Sequence, residues 1–528
     1  MEMRGSSKWN KTALTAASVA LVGLSLSACG SNNGDSSGPA ASGGSASTGS
    51  AEPVVIKVAK GTGGYPYIEG LSDINKDKYM TELEKAAGVD LDVELIPHAD
   101  FDQKLQLIFA GGNLPDLIET KGINTSQVEP AVAAGALLPL NDLIDRYAPN
   151  MKKALTEEEW KFGTISKDGV IYGIPTLEAA PHGFVSFIRK DWLDKLGLPV
   201  PQTLDEYVTT LRAFRDNDPN GNGKADEIPY TARKEFKSGD IFFGAFGVNP
   251  DGWTLADGKL TPNQILPQMK DALAFYKMLY DEKLFDAEAF VQEGKDWDAK
   301  IRGKNVVGFW QHSATEAELW ASETKKNVPE AVVVPVAAPV GPDGKSGGLI
   351  RSTIADKAWV IPKTAKNPEA ILKFLDFFFT EEGKKFTTYG IEGDNYTVSG
   401  DSIEYKSPST ADEIQEEMAR QEWYQFTGQN YLTNEEFMKN KPNNELVVQA
   451  LEISAKEGVV NDGAGMPALP TLQSRPELGF KGLWLEFAAK VITGKESIDN
   501  FDKFVADWKS RGGEKLIEEA TAWYNASH

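Results

Sequence analysis

Residues 103–119 read QKLQLIFAGGNLPDLIE. A helical run from about Asp102 to Ala110 is stopped by Gly111-Gly112, and Leu114-Pro115-Asp116 turns the chain into the short extended run Leu117-Ile118-Glu119. Upstream, Val54–Ala59 reads as a strand, and Leu91–Ile96 as another with period-two alternation. Between them Asp77 to Ala87 carries a helical pattern that ends at Gly88. Strands alternating with helices predict a parallel α/β sheet. Downstream, strands are expected at Val170–Ile174, Val185–Ile188, Val306–Trp310, Ala331–Pro335 and Ala358–Ile361. Helices dominate the second half: Pro368 sits at the first helical position before Ala370–Phe379, and Ser497–Trp508 and Glu514–Tyr524 keep helical spacing.

With 528 residues, 41% hydrophobic and 25% charged, the chain has the composition of a soluble globular protein and enough length for two large lobes. It carries 77 acidic against 55 basic residues, a net charge of −22. That balance argues against nucleic acid as the main partner, because phosphates require a clustered basic surface. One cysteine excludes an internal disulfide, and four histidines leave little material for a zinc enzyme.

That cysteine is Cys29. Arg4, Lys8 and Lys11 precede an apolar run from about Leu14 to Leu26, which ends in Ser27-Ala28-Cys29. A basic flank, a short apolar stretch and small residues form a secretory signal, too short for a secure membrane span. The junction resembles the lipobox of bacterial lipoproteins, in which the cysteine thiol takes a diacylglycerol before cleavage. Residues 1–28 are thus expected to be a lipoprotein signal peptide. Residues 29–53, acylated at Cys29 and free of large apolar side chains, are expected to be a flexible tether. The implied location is extracytoplasmic, lipid-anchored to the outer face of the cell membrane.

Four stretches in order resemble the extracellular solute-binding proteins of carbohydrate ABC importers. They are residues 103–119, Phe187–Leu198 (FIRKDWLDKLGL), Asn367–Gly393 and the carboxy-terminal stretch Gly482–Tyr524. The resemblance implies an α/β, two-lobe, type II periplasmic-binding-protein-like fold with a crossover hinge. The first lobe would comprise residues 54–187 plus 353–400, and the second residues 188–352 plus 401–528. It also implies a monomer that captures an oligosaccharide and delivers it to permease subunits served by a separate ATPase, without catalysis.

The most specific local motif runs from Asp216 to Glu227, DNDPNGNGKADE. Counted from Asp216 it satisfies an EF-hand pattern, with Gly221 sixth and Glu227 twelfth. Counted from Asp218, oxygens recur at Asp218, Asn220, Asn222, the Lys224 carbonyl, Asp226 and Glu227. This register suits calcium better, because the first places Lys224 where an oxygen ligand belongs. It also resembles the calcium loop of alginate-binding and related oligosaccharide-binding members. Ile228-Pro229 then starts an extended segment where an EF-hand would have its exit helix. A structural calcium is expected; a solvated Asn/Asp/Gly turn is the plain alternative.

Twelve tryptophans suit a sugar cleft, since indole faces stack on sugar C–H faces while carboxylates and amides bond the hydroxyls. Candidate ligand contacts are Trp253, Trp310 and Trp359 near strand ends or glycine loops, with Tyr65, Glu119, Glu392, Tyr396 and Trp423. Arg189 reads equally as a cleft cation or as a salt-bridge partner at the crossover. Other chemistries find little support. Gly61-Thr62-Gly63-Gly64-Tyr65-Pro66 lacks the third glycine of a dinucleotide fingerprint, and Gly344-Lys345-Ser346 lacks the upstream glycine of a P-loop, having Pro339 there. His98, His182, His312 and His528 are scattered. Two carboxylates joined by folding would suffice for a glycosidase, so a lipid-anchored glycoside hydrolase stays open, as does a peptide or lipid-like cargo on the same fold.

Overall fold

Residues 53–527 are described by the computed structural model, apart from 178–183, 351–353, 401, 429 and 442–443. The leader, Cys29, the tether, His182 and His528 lie outside the described residues. Among the described residues two larger sheets organise the chain. Strands β1 (Val54–Gly61), β2 (Val89–Ile96), β3 (Leu117–Thr120) and β4 (Gly173–Leu177) come first. They are followed by β5 (Phe184–Arg189), β6 (Ile228–Tyr230), β7 (Val307–Ser313), β8 (Val333–Val336) and β9 (Ile354–Val360).

The first sheet has the order β2-β1-β3-β9-β4. Its β1 pairs in parallel with β2 and β3, whereas β9 runs antiparallel to β3 and β4. The parallel expectation therefore holds for the first three strands only. The fold reason is that β9 enters from the second lobe and from the opposite end. The second sheet, β8-β5-β7-β6, is antiparallel at β8/β5 and β5/β7 and parallel at β7/β6. The chain leaves the first sheet after Leu177, enters the second at Phe184, and returns at Ile354.

Local chemistry explains the elements. Edge strand β2 buries Val89, Leu91 and Val93 and exposes the residues between them, while central β1 is buried continuously over its last four residues. The helix Lys78–Ala87 starts where the Asp77 side chain accepts the Tyr79 N–H, and it ends at left-handed Gly88. The helix Phe101–Gly111 stops at Gly112, and Pro368–Phe377 begins on its proline. The run expected over Val170–Ile174 is two pieces: Val170–Ile171 pairs with Ser166–Lys167, and β4 starts at Gly173.

Each sheet has its own core. The first packs Val58, Leu91, Leu117, Trp359 and Phe374 together with Ala419, Trp423, Tyr424 and Phe426, which come from much later in the chain. The second packs Trp192, Phe214, Tyr230, Phe242, Phe309 and Trp484. The late helices Phe501–Trp508 and Glu514–Ser527 join a smaller core beside the hairpin Trp253–Ala256/Lys259–Pro262.

Candidate functional site

The carboxyl ends of β1 and β3 build one wall. The Gly61 N–H donates to Glu119 Oε2 at 2.8 Å, and Lys357 Nζ lies 3.3 Å from Glu119 Oε1. Burial alone would raise the Glu119 carboxyl, but Lys357, Lys60 and the Gly61 bond hold it below its ordinary value. A side chain at residue 61 would meet the Phe101 ring at 2.9 Å, so this close approach requires glycine. Lys60, only 4% exposed, places its ammonium over Phe426 (4.2 Å), Trp359 (4.6 Å) and Trp423 (5.0 Å). Burial brings its pKa down to about 8 against the attraction of Glu119.

Trp423 and Glu422 reach this wall from a π-turn, Ala419–Trp423. Trp423 Nε1 donates to the Gly61 carbonyl at 2.7 Å, and Trp359 Nε1 donates to the Phe426 carbonyl. The Tyr65 hydroxyl donates to Glu422 Oε2 at 2.7 Å, and the Tyr431 hydroxyl to Glu422 Oε1 at 3.0 Å.

The facing wall follows the ends of β6 and β7. His312 stacks between Phe184 (ring centroids 5.7 Å apart) and Trp297 (5.9 Å), with its Nδ1 3.1 Å from Glu316 Oε2. Burial would raise the Glu316 carboxyl; His312, Arg302 and Arg233 hold it low. The two walls sense each other. Burial, then Glu422, then Glu316 of the second wall push the Tyr65 hydroxyl well above its ordinary value. Lys237 of the second wall is likewise lowered in part by Lys121 of the first. Aromatic faces, hydroxyls, carboxylates and cations thus converge between two lobes, a surface able to bind a polar solute.

Among the sequence candidates, Tyr65, Glu119, Trp359 and Trp423 come together in the first wall. Trp310 is fully buried against Phe187 and Trp320 and offers no ring face to a ligand in this conformation. Arg189, 1% exposed, pairs with Asp191 at 2.6 Å and bonds Asn305, so its crossover alternative describes it. Trp253 packs beside the Asn461–Gly463 turn, its backbone N–H donating to Asn461 Oδ1 at 3.0 Å. Glu392 bridges to Tyr396, whose ring packs near Tyr389 in a separate aromatic cluster. Sequence reading did not single out Lys60, Glu422, Tyr431, Glu316 or Arg233. The sequence signals near them are Trp423, next to Glu422, and the density of basic residues in RKEFK, residues 233–237.

The loop 218–227 lies between the helix Leu204–Asp216 and β6. Left-handed Gly221 and Gly223 (φ 73° and 74°) let its side chains fold inward. The Asp218 carboxylate accepts the N–H groups of Asn222 (3.0 Å) and Gly223 (2.8 Å). Asp226 accepts the Asn220 and Asn222 amides, and Lys195 caps the Asp218 and Pro219 carbonyls. Asp216 is engaged by Arg215 at 2.7 Å and 2.9 Å, which favours the register that begins at Asp218. Glu227 Oε1 is buried without a hydrogen-bond partner, and burial with Asp218 and Asp226 pushes its carboxyl up. Among the described residues no three His, Cys, Asp or Glu side chains already converge on a metal position. The donors here are mixed, carboxylates with Asn amides and a backbone carbonyl, and an orphaned buried carboxylate oxygen fits a hard cation.

A two-lobe α/β fold with polar and aromatic walls between the lobes is the architecture of a solute-binding protein. Residues 73–385 match the family of bacterial extracellular solute-binding proteins, and the chain belongs to it. The fructooligosaccharide ABC transporter substrate-binding protein FusA of Streptococcus pneumoniae serotype 4 is 32% identical over 344 residues, 61% of each chain and so under two thirds of that relative's length. Lipoprotein LipO of Bacillus subtilis is 26% identical over 88% of this chain and 91% of its own. The polygalacturonan/rhamnogalacturonan-binding protein YtcQ of the same organism is 27% identical over 84% and 87%. Among solved structures, FusA in complex with kestose superposes with a TM-score of 0.69 at 21% identity, covering 89% of this chain and 99% of its own. Its EF-hand mutant with fructo-nystose gives the same values. The alginate-binding protein AlgQ2 without calcium ion gives 0.68 at 20% identity, covering 90% and 98%. Among the described residues no helix is long and apolar enough to cross a membrane.

Proposed function

We propose that this chain is the lipid-anchored substrate-binding component of an ABC importer, that it captures an oligosaccharide in the interlobe cleft, and that it delivers the sugar to a membrane permease powered by a separate ATPase. The observation that carries the reading is the cleft itself. Tyr65, bonded to Glu422 on one lobe, lies within electrostatic reach of Glu316 on the other, beside the stacked His312, which supplies aromatic faces and hydroxyl partners in one place. A sugar bridging both walls favours the closed state by its extra contacts there, and closure is the signal a permease reads. The similarity to a fructooligosaccharide-binding and a polygalacturonan-binding protein supports carbohydrate as the cargo class, and the residues around Cys29 support the anchor. The division into lobes is proposed to follow the two cores. The expected boundary at 187/188 then moves to the segment before β5, and residues 419–426 join the first lobe.

A structural calcium is part of this reading. Asp218, Asn220, Asn222, the Lys224 carbonyl, Asp226 and Glu227 would hold it. Bound there, it would neutralise three mutually repelling carboxylates and pin the loop that feeds β6 and the second wall. No residue is assigned a catalytic role.

The test is thermal stability of a soluble chain lacking residues 1–29, in calcium, against a panel of neutral and acidic oligosaccharides. A ligand at 100 times its dissociation constant adds about 2.7 kcal/mol. One sharp rise with the sugar recovered intact fits the proposal. A flat panel overturns carbohydrate as cargo, and a sugar returned cleaved makes the chain a hydrolase.

A further inference from the structure

Residues 233–238, Arg-Lys-Glu-Phe-Lys-Ser, form a loop that leaves β6 toward the first lobe, and its backbone is strained. Glu235 (φ 61°), Phe236 (φ 58°) and Ser238 (φ 53°) all adopt the left-handed region that side chains resist. The surroundings hold it there. Arg233 N–H donates to the Lys237 carbonyl at 2.8 Å, and Arg233 Nη2 donates to Ser238 Oγ at 2.8 Å. Lys234 N–H donates to the Gln292 carbonyl at 3.2 Å, the Gln292 amide donates to the Ala232 carbonyl, and the Phe236 ring is sunk in the core. Strain that persists under so many anchors fixes the loop before any solute arrives, as in a pre-organised binding element.

The fixed loop carries two cations without an ion pair, although Asp298 and Glu316 act on Arg233 from farther away. The Arg233 guanidinium lies 4.9 Å over the Trp297 ring, and its Nε is buried without a hydrogen-bond partner. Among the described residues neither Arg233 nor Lys237 has a carboxylate within ion-pair distance. Of the neighbouring cations, Lys234 pairs with Glu293, Lys481 with Glu235 and Lys121 with Asp102, while Arg302 stacks on Trp320. Burial outweighs the pull of Asp298 and Glu316 and holds Arg233 below its ordinary value. Lys237 is lowered by burial and then by Lys481, against the pull of Glu235, with Arg233 and Lys121 adding to the lowering. In a chain of net charge −22, this stretch of cleft has under-compensated positive charge. A planar guanidinium stacked on an indole matches a carboxylate in a charge-assisted contact that neutral hydroxyls do not need.

We propose that residues 233–238 are an acid-recognition loop and that the solute is a uronic-acid-containing oligosaccharide, its carboxylate held by Arg233 and Lys237. This rests on the oligosaccharide reading above and adds the charge of the cargo to it.

Titration calorimetry of the soluble chain in calcium tests it. The probes are trigalacturonate and trimannuronate, the fully methyl-esterified form of each, and kestose. The esters keep the ring skeleton and remove the charge. At least one acid should bind about tenfold or more tighter than its ester, and added salt should erode that advantage. Arg233→Gln should weaken acid binding about tenfold more than it weakens ester binding, and Lys237→Gln should do the same to a smaller extent. Lys237 is exposed, so Lys237→Gln carries the test if Arg233→Gln does not fold. An ester or kestose binding as tightly as the acids, or acid binding unchanged in both variants, overturns the acid-recognition loop and leaves the oligosaccharide receptor standing. No heat from any probe overturns both.

Discussion

Glu457 is a partly buried carboxylate with one of its two oxygens left without a hydrogen bond. Its Oε2 accepts the Ala338 N–H at 2.8 Å, while Oε1 is buried with no partner. Burial raises its pKa from 4.5 to about 7, against the small lowering effect of the Ala338 bond. Between those values the unfolded chain has released the proton and the folded chain has kept it. Stability is therefore lost as pH rises from 4.5 toward 7, and the loss is complete above the folded value. A rise from 4.5 to about 7 corresponds to about 3 kcal/mol at alkaline pH. Glu457→Gln keeps an oxygen for the Ala338 N–H and removes the charge. In urea unfolding at pH 8.5 the variant should exceed wild type by up to about 3 kcal/mol, and at pH 4.5 the two should coincide. A difference that does not change with pH would refute the assignment of this cost to the buried charge.

Chelating calcium should lower the melting temperature of wild type and leave Glu227→Gln or Asp218→Asn nearly unaffected; equal sensitivity in all three would remove calcium from residues 218–227. Trp423→Phe deletes the hydrogen bond to the Gly61 carbonyl, so calorimetry should record weaker sugar binding and urea unfolding a loss of about 1–2 kcal/mol, the penalty of an unsatisfied buried acceptor. Unchanged affinity in Trp423→Phe would take that indole out of the site. Cys29→Ser should move the full chain from the detergent phase to the aqueous phase on Triton X-114 partition, and continued detergent partition would mean another anchor.

Local elements were legible because their causes are local. Asp77 and Gly88 bound a helix by capping, Gly111-Gly112 and Pro115 set the turn into β3, and β2 declares itself by alternation. The cleft was only partly legible because its walls are assembled over long separations. Trp423 meets Gly61 across 362 residues, and no periodicity carries that information. The same limit put residues 419–426 with the second lobe in the sequence reading, although their rings pack on the first sheet. Tryptophan content pointed to stacking surfaces without saying which indoles line the site: Trp310, Trp359 and Trp423 are all buried, and only Trp359 and Trp423 reach the first wall, where they cage Lys60. Strain at Glu235, Phe236 and Ser238 left no trace in the sequence, since none of these residues is a usual left-handed residue.

The central claim is that a sugar is held between the two walls. It is tested most directly by titrating the panel's tightest oligosaccharide into wild type, Tyr65→Ala and His312→Ala, which sit on opposite walls. The account predicts one-to-one binding in wild type, with each substitution weakening it about tenfold or more and both proteins remaining folded. Binding that neither substitution touches would contradict it.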